Sequence, residues 1–210
     1  MDWEREALVG YIEGLLPTRD RVLRRLESEA REEGIPIIGP HVGALLMVLA
    51  AAAKSQRGVE LGTAIGYSTI WIARGLGDDG KLYTVEAREE MVGRAVRNVA
   101  EAGLGDVVEI LSGPAHEVLP TLGGGFDLVF NDIDKEDYPA MLPLCKESLR
   151  PGGLLITDNV LWGGRVTSPE DRSASTEAIR EYNRLLAEDE EMMTVILPIR
   201  DGVSISVKRV

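Results

Sequence analysis

The sequence is poor in the residues that build disulfides and thiolate metal sites. Cys145 is its one cysteine among 210 residues, which excludes an intramolecular disulfide and a cysteine-rich metal centre. Positive charge is also scarce: 23 lysines and arginines stand against 35 aspartates and glutamates, for a formal net charge of −12 at pH 7. Because a broad nucleic-acid footprint needs clustered basic residues, this balance argues against one.

Long apolar runs are missing as well. The longest weakly polar stretch, residues 42–53, is much shorter than the roughly 20 residues that a membrane-spanning helix needs. The N-terminal segment MDWEREALVGYIEGLL has neither the basic start nor the long apolar centre of a secretory signal peptide. We therefore expect a cytoplasmic protein without a membrane partner.

The sequence does contain a regular alternation of helical patterns and short apolar runs. Two amphipathic helices are predicted within residues 4–33, with Thr18 as the N-cap of the second and Gly34 as its end. Trp3 and Tyr11, at helical spacing, are expected to pack these helices or a dimer interface. A third helix, rich in Ala and Leu, is predicted to run to about Lys54. Beyond it, strands are predicted at 58–61, 81–85, 107–111, 126–130 and 154–157, with helices at 67–76, 89–102, 115–122 and 138–149.

This order of elements predicts the fold class. Strands separated by helices of 10–15 residues indicate βαβ crossovers, and their continuously apolar character is typical of a parallel sheet covered on both faces. After a helix at 174–187, apolar runs at 193–199 and 203–208 flank Arg200-Asp201-Gly202, and Asp-Gly is a hairpin signal. We predict an α/β, Rossmann-like, doubly wound, mostly parallel seven-stranded sheet with an antiparallel C-terminal hairpin strand, in a single domain over residues 1–210.

A glycine-rich turn follows the first predicted strand, within residues 59–68. Gly62 and Gly66 allow a tight turn and a close approach of the backbone to a ligand. Their spacing is not the G-x-G-x-x-G of dinucleotide sites, and Glu60, two residues before Gly62, would repel a phosphate but suit a cationic sulfonium amino acid. Glu86, at the end of the second strand, is placed to accept hydrogen bonds from ribose hydroxyls. The alternative is a plain turn with solvated glutamates.

Three oxygen-bearing side chains stand at the ends of the fourth and fifth predicted strands. Asp132 follows the fourth strand, and Asp158 and Asn159 follow the fifth. Consecutive strands are often neighbours, so these side chains are expected to converge beside the glycine turn. Oxygen ligands without nearby His or Cys favour Mg²⁺, Mn²⁺ or Ca²⁺ over Zn²⁺. For any one of the three, capping of the following loop is the simpler interpretation.

A few other residues invite a chemical interpretation. Lys135 is a candidate general base, since a lysine beside a cation and an apolar ligand can have a lowered pKa; a surface lysine is the alternative. Trp162 is a candidate wall of an acceptor pocket or plain structural cover. His41 is interpreted as a turn residue, and Cys145 and Trp71 as core.

The sequence resembles the metal-dependent, catechol O-methyltransferase-like family, which includes the caffeoyl-CoA O-methyltransferases. The resemblance spans about residues 34–208. It is carried by the segments VELGTAIGYSTIWIA, YTVEAREEMVGRAVRNVAEAG, FDLVFNDIDKEDY, LRPGGLLITDNVLWGGRV and LPIRDGVSISVKR. It implies a homodimeric enzyme that uses S-adenosylmethionine and a divalent metal, Mg²⁺ or Mn²⁺/Ca²⁺, to methylate a hydroxyl of a small molecule, with a catechol-like or vicinal-diol phenol as the expected acceptor.

The resemblance also implies roles for individual residues. It places Glu86 on the ribose, the loop 113–116 beside the adenine, and residues 37–43 over the donor. The implied donor-binding set is Ile38, Glu60, Gly62, Thr63, Gly66, Ser68, Glu86, Ala87, Gly113, Ala115, His116 and Asp132. The implied metal ligands are Asp132, Asp158 and Asn159, and the implied catalytic residues are Lys135 and Asp132.

The sequence departs from the family pattern in places. Asn131 stands where the family usually has an aliphatic residue, and His116 where it commonly has Leu or Gln, which bears on donor affinity. Residues 1–33 match poorly. They are expected to cover the acceptor site or to form a dimer contact, while residues 34–210 form the donor-binding core.

Three alternatives remain open at this point. The first is methylation of a modified base in tRNA, such as a hydroxyuridine, which the net charge of −12 disfavours. The second is a nucleotide-binding oxidoreductase, against which the missing G-x-G-x-x-G counts. The third is a donor-binding or scaffold protein without catalysis.

Overall fold

Helices and strands alternate along most of the chain in the computed structural model, which describes residues 5–210. Trp3 lies outside these residues. The side chain of Tyr11 is 68% exposed, so Tyr11 does not pack the N-terminal helices within the chain.

The helices are α1 (Arg5–Glu13), α2 (Arg21–Glu33), α3 (Gly39–Ala52), α4 (Tyr67–Gly75), α5 (Glu89–Glu101), α6 (Ala115–Val118), α7 (Tyr138–Ser148) and α8 (Ala174–Glu188). The strands are β1 (Arg57–Leu61), β2 (Lys81–Glu86), β3 (Val108–Ser112), β4 (Phe126–Asn131), β5 (Leu149–Thr157), β6 (Met192–Leu197) and β7 (Val203–Lys208).

The seven strands form one sheet in the order β3-β2-β1-β4-β5-β7-β6. Neighbours from β3 to β5 pair in parallel, whereas β7 is antiparallel to both β5 and β6. This confirms the predicted fold class. The strand order reverses between β1 and β4, and open α/β sheets bind ligands at the carboxyl ends of the strands beside such a reversal.

The core lies on both faces of the sheet. One apolar cluster joins α2, α3 and α4 to the sheet around Trp71, and the other joins α7 and α8 to the opposite face around Cys145. Both side chains are 1% exposed, so their predicted place in the core is confirmed. Gly43 allows the close packing of α3 on α4, because a Cβ at this position would lie 2.5 Å from the Trp71 ring.

Several predicted boundaries were wrong. The N-cap of α2 is Asp20, whose side chain accepts a hydrogen bond from the Leu23 amide at 2.9 Å, and not Thr18, which lies two residues too early. Gly34 does end α2, in the left-handed conformation. Strand β5 begins at Leu149, directly after α7, and not at residue 154. Strand β6 ends at Leu197, so the β6–β7 turn (residues 198–202) has five residues.

None of the helices in the described part of the chain is both long and apolar enough to cross a bilayer.

Candidate active site

A cleft of about 690 Å³ opens at the carboxyl ends of the parallel strands, beside the reversal between β1 and β4. It is bounded by the turn after β1, the loops after β2 to β5, the β6–β7 turn, and α2 with the segment that follows it. The predicted site residues that line it are Ile38, Gly62, Thr63, Ser68, Ala87, Gly113, Ala115, His116, Asp132, Asp158 and Asn159. Glu60, Gly66, Glu86 and Lys135 are not among the lining residues.

Gly62 brings the end of β1 against the end of β4. Its φ is 97°, and a Cβ at this position would lie 2.3 Å from the Asp132 carbonyl oxygen. The Gly62 amide donates to the Val85 carbonyl, and the Asp132 amide donates to the Leu61 carbonyl, each at 2.9 Å. A side chain cannot be accommodated here, so glycine is required both for its conformation and for the approach. The turn after β1 and the residue after β4 are therefore held together by backbone.

Glu60 lies beneath the glycine turn, not on the cleft surface. It is fully buried, and its Oε2 accepts hydrogen bonds from the hydroxyls of Thr69 and Thr84. Its Oε1 has no partner in the described part of the structure. Burial raises the pKa of the Glu60 carboxyl from 4.5 to about 7. The alternative of a solvated Glu60 is therefore wrong.

Glu86 is also buried, at 5% exposure, and it is held by backbone amides. Its Oε2 accepts from the Ala64 amide at 2.7 Å, and its Oε1 accepts from the Arg88 amide at 2.9 Å and from Arg88 Nε at 3.1 Å. This carboxylate is fixed in orientation between the turn after β1 and the loop after β2. Because each carboxylate oxygen can accept more than one hydrogen bond, capacity for a ligand hydroxyl remains.

The loop after β3 forms one wall of the cleft. Residues 113–116 all line it, and the Gly113 amide donates to the Glu86 carbonyl at 3.0 Å. His116 is exposed at the edge. Opposite, Ile38 is 3% exposed and closes the cleft from the segment between α2 and α3. Asn131, the other departure from the family pattern, is buried at the end of β4 and is not among the lining residues, and its Oδ1 is unpaired within residues 5–210.

Asp132, Asp158 and Asn159 line the same cleft. Asp158 is 3% exposed, and its Oδ1 finds no hydrogen-bond partner among the described residues. Burial, and then the charge of the neighbouring Asp132, raise the pKa of the Asp158 carboxyl from 3.8 to about 7. Burial also raises the pKa of Asp132, against the opposing influence of Lys135. A buried carboxyl and a partly exposed one therefore share one wall of the cleft.

Asn159 has a left-handed backbone (φ 59°), a conformation that asparagine tolerates better than most residues. Within residues 5–210, no group of three or more His, Cys, Asp or Glu side chains is placed to hold a metal ion. A metal set at this wall would thus consist of two carboxylates and the Asn159 amide.

Lys135 pairs with one of these carboxylates. Its Nζ donates to Asp132 Oδ1 at 2.7 Å and to the Ile133 carbonyl at 3.0 Å, and it lies 5.3 Å from the centre of the Tyr138 ring.

Trp162, in the loop after β5, is half-buried and is not among the lining residues. The Arg165 guanidinium lies 5.6 Å from its ring centre. Of the two interpretations of Trp162, the structure therefore favours a structural role over a wall of the acceptor pocket. His41 lies in the first turn of α3.

Some lining residues were missed in the sequence. Helix α2 contributes Glu27, Ala30 and Arg31, and the Tyr67 hydroxyl donates to Glu27 Oε1 at 2.7 Å. The β6–β7 turn contributes Arg200 and Asp201. Contacts between segments so far apart leave no local pattern. For Arg200 and Asp201 the sequence did contain a signal. The antiparallel direction predicted for the last strand places the start of β7, and therefore the turn before it, at the ligand-binding edge of the sheet.

Comparison with known proteins shows the family. The sequence pattern of the O-methyltransferase family matches residues 20–209. A protein of Mycobacterium marinum named as an O-methyltransferase is 36% identical over 205 residues, which cover 97% of this chain and 91% of that protein.

Solved structures agree. The O-methyltransferase TomG of Streptomyces achromogenes, involved in tomaymycin synthesis and solved with S-adenosylmethionine, is 31% identical, with a TM-score of 0.90 and coverage of 100% of both chains. An O-methyltransferase of Bacillus cereus, solved with S-adenosylhomocysteine, is 29% identical, with a TM-score of 0.89 and coverage of 97% of both chains. The chain therefore belongs to the family of S-adenosylmethionine-dependent O-methyltransferases, as the resemblance in its sequence predicted.

Proposed function

We propose that this enzyme methylates one hydroxyl of a small phenol with adjacent hydroxyl groups, with a divalent cation held by Asp132, Asp158 and Asn159. The strongest support is the Asp158 carboxyl, which is buried in the cleft wall without a partner for its Oδ1 in the described structure. Buried polar atoms almost always have a partner, and an unsatisfied carboxylate oxygen beside a second carboxylate is what a cation would satisfy.

The donor would occupy the side of the cleft formed by β1, β2 and β3. Gly62, Thr63 and Ser68 line the turn where the methionine part would lie. Glu86, fixed by the Ala64 and Arg88 amides, would accept the ribose hydroxyls. Ala87 and the loop 113–116 would flank the adenine, with Ile38 closing the opposite side.

The residues at the ends of β4 and β5 fit a hard cation. Two carboxylates and one amide supply only oxygen, as Mg²⁺ prefers, and they leave positions for water and substrate. A dication bound there would stabilise the deprotonated form of an acceptor hydroxyl, as bound metals do for water. The chain's own contribution is to hold these three groups at one wall of the cleft, facing the donor turn across Gly62.

Lys135 would receive the proton of the acceptor hydroxyl, while the sulfur–methyl bond of the donor breaks and an oxygen–methyl bond forms. Its Nζ lies 2.7 Å from Asp132 Oδ1, so the proton would arrive beside that carboxylate. A charged amine cannot accept a proton, so the role requires Lys135 to leave its ion pair and lose its proton first. Asp132 thus positions Lys135 and binds the cation with the same side chain.

The N-terminal segment would cover the acceptor end of the cleft. Glu27, Ala30 and Arg31 of α2 line the cleft, whereas no described residue of α1 does. Helix α1 and the residues after it expose apolar side chains, and a homodimer that covers them would agree with this exposure; they are Val9, Tyr11, Ile12 and Leu15. A location in the cytoplasm remains our proposal.

A methyl-transfer assay with labelled S-adenosylmethionine tests this function. The acceptors are catechols, caffeoyl esters, hydroxylated nucleosides and the matched monophenols, each with EDTA and after Mg²⁺ is restored. We expect transfer to vicinal diols, loss with EDTA and recovery with Mg²⁺. Equal transfer to monophenols, unaffected by EDTA, would contradict the metal mechanism. Transfer to hydroxyuridine with a tRNA gel shift at physiological salt would favour the tRNA alternative, and tighter binding of NAD(H) than of S-adenosylmethionine would favour an oxidoreductase.

A further inference from the structure

The β6–β7 turn reaches both sides of the cleft. Arg200 and Asp201 of this turn line the cleft, although they are about 40 residues from Asp158 and Asn159 and about 160 residues from Ile38 in sequence. Strand β7 lies antiparallel against β5, so the turn that precedes β7 lies at the same sheet edge as the end of β5. The turn is therefore placed to contact the loop that carries Asp158 and Asn159.

The backbone of the turn holds that loop. The Asp201 carbonyl accepts from the Leu161 amide at 2.7 Å and from the Trp162 amide at 3.0 Å, and the Gly202 carbonyl accepts from the Val160 amide at 3.0 Å. Three consecutive amides directly after Asn159 are thus bound by the turn. A Cβ at Gly202 would lie 2.4 Å from the Leu161 side chain, so the two segments pack without space between them.

The Arg200 side chain holds the opposite side of the cleft. Its Nη1 donates to the Ile37 carbonyl at 2.7 Å, next to Ile38, which closes the cleft. The contact is close, since a Cβ at Gly39 would lie 3.0 Å from the same nitrogen. The Arg200 guanidinium also lies near enough to Asp132 and Asp158 to favour their charged forms.

Arg200 adopts a backbone conformation that arginine rarely takes, with φ 51°. A residue without glycine's freedom costs free energy in the left-handed region, and such residues persist where the surroundings hold them, often at functional sites. Here the surrounding contacts are the three backbone hydrogen bonds of the turn and the guanidinium contact with the Ile37 carbonyl.

We propose that Arg200 is a positioning residue for the donor: its guanidinium fixes residues 35–39 over the cleft, while its turn fixes the loop that follows Asn159. The donor-closing segment and the metal-binding wall are thereby joined through one side chain. This inference rests on the proposed donor site. It predicts that Arg200 contributes to donor affinity without touching the donor, and that it does so by restraining the 35–39 segment.

Arg200→Asn tests the inference, because asparagine tolerates the left-handed backbone but cannot reach the Ile37 carbonyl. A hydrogen bond from a charged donor at an exposed site corresponds to about a threefold to tenfold change in affinity. We expect the dissociation constant for S-adenosylmethionine, measured by calorimetry, to rise by about that factor. The rise in the donor dissociation constant should exceed any change in the acceptor KM or in kcat at saturating donor and Mg²⁺, since the loop after Asn159 keeps its backbone bonds.

Hydrogen exchange of the free protein provides the independent measurement. Peptides that contain residues 35–39 should exchange faster in Arg200→Asn, while peptides that contain residues 160–162 should not. Arg200→Lys, which keeps a charged donor on a long side chain, should recover most of both effects. Arg209→Asn, which removes an exposed guanidinium after β7, is the matched control and should change neither.

Three results would overturn the inference: unchanged donor affinity in Arg200→Asn, weaker donor binding without faster exchange of residues 35–39, or equal losses of donor affinity, acceptor affinity and melting temperature. The last would show that the substitution disrupts the turn as a whole. If the unsubstituted protein fails to bind S-adenosylmethionine, the proposed function fails instead, and the exchange of residues 35–39 still decides whether Arg200 restrains that segment.

Discussion

The two sides of the cleft differ in how their acidic side chains are satisfied. On the proposed donor side, at the ends of β1 to β3, both oxygens of Glu86 accept hydrogen bonds from neighbouring residues, and Glu60 Oε2 accepts from two threonine hydroxyls. On the opposite side, Asp158 Oδ1 is buried without a partner in the described structure, and Asp132 is paired only with Lys135. Among the described residues each side leaves one buried carboxylate oxygen without a partner, Glu60 Oε1 and Asp158 Oδ1. The carboxyls of Glu60 and Glu86 nevertheless accept hydrogen bonds from four neighbouring residues, whereas those of Asp132 and Asp158 accept them from Lys135 alone, so the side at the ends of β4 and β5 offers more for a ligand to complete.

Asp158→Asn should give the largest functional effect, because it removes a charge from the side that the protein leaves incomplete. Metal-assisted stabilisation of a developing anion is worth several kcal/mol, so we expect kcat/KM to fall about 1000-fold. Donor affinity should change by less than about threefold, and the melting temperature should not fall, since a buried carboxylate without a partner is removed. Asp134→Asn, at an exposed carboxyl in the same cleft, is the control; an equal loss there, or full EDTA-insensitive activity in Asp158→Asn, would refute the metal role.

Gly62→Ala should give the largest loss of stability, because it acts where the two sides touch. A methyl group 2.3 Å from the Asp132 carbonyl must displace backbone, and φ 97° strains any other residue. We expect about 3–5 kcal/mol of destabilisation by urea unfolding. Gly66→Ala meets its nearest atom at 3.5 Å and should lose only about 1–2 kcal/mol from the left-handed backbone. Similar losses in the two variants would show that the contact with Asp132 is unimportant.

One buried carboxyl on each side of the cleft should contribute to the pH dependence of stability. Glu60 binds its proton more tightly in the folded protein, with a pKa of about 7 against 4.5 when unfolded, so stability falls as pH rises from 4.5 to 7. The full shift corresponds to at most about 3 kcal/mol. Glu60→Gln should flatten this part of the curve of unfolding free energy against pH. Asp158→Asn should flatten it too, because the pKa of Asp158 is raised in the same range. A variant whose curve keeps the slope of the parent protein between pH 4.5 and 7 would contradict the raised pKa of the residue that it replaces.

Glu86→Gln should give the smallest functional effect of these substitutions. It should change donor affinity without changing the Mg²⁺ dependence of activity. The amide keeps one acceptor oxygen for the Ala64 or Arg88 amide but loses the charge that strengthens its bond to ribose hydroxyls. We expect donor affinity to fall about threefold to tenfold, and the Mg²⁺ concentration for half-maximal activity to stay the same. Glu89→Gln, in the first turn of α5, is the matched control. A change in Mg²⁺ dependence would show that the two sides are coupled through Glu86.

The sheet and the two strand ends were predictable because their signals are local. Continuous apolar runs marked β1 to β5, and Gly62 and Asp132 stand in short motifs at strand ends. The burial of Glu60 could not be predicted, because it depends on hydroxyls from α4 and β2 that converge only in the folded sheet. The same holds for Glu27 and Arg200, which reach the cleft through contacts distant in sequence. Thr18 was wrong as an N-cap because Asp20, two residues later and the more strongly preferred residue type, takes the position.

The contact of Gly62 with the Asp132 carbonyl has a consequence for how relatives of this enzyme can diverge. The spacing between the donor turn and the end of β4 is set by main-chain atoms, which substitution of neighbouring side chains hardly alters. The wall contributed by α2, in contrast, is formed by the side chains of Glu27, Ala30 and Arg31. If donor and acceptor bind as proposed, point mutations in α2 can change acceptor preference while the backbone spacing between the turn after β1 and the end of β4 stays the same.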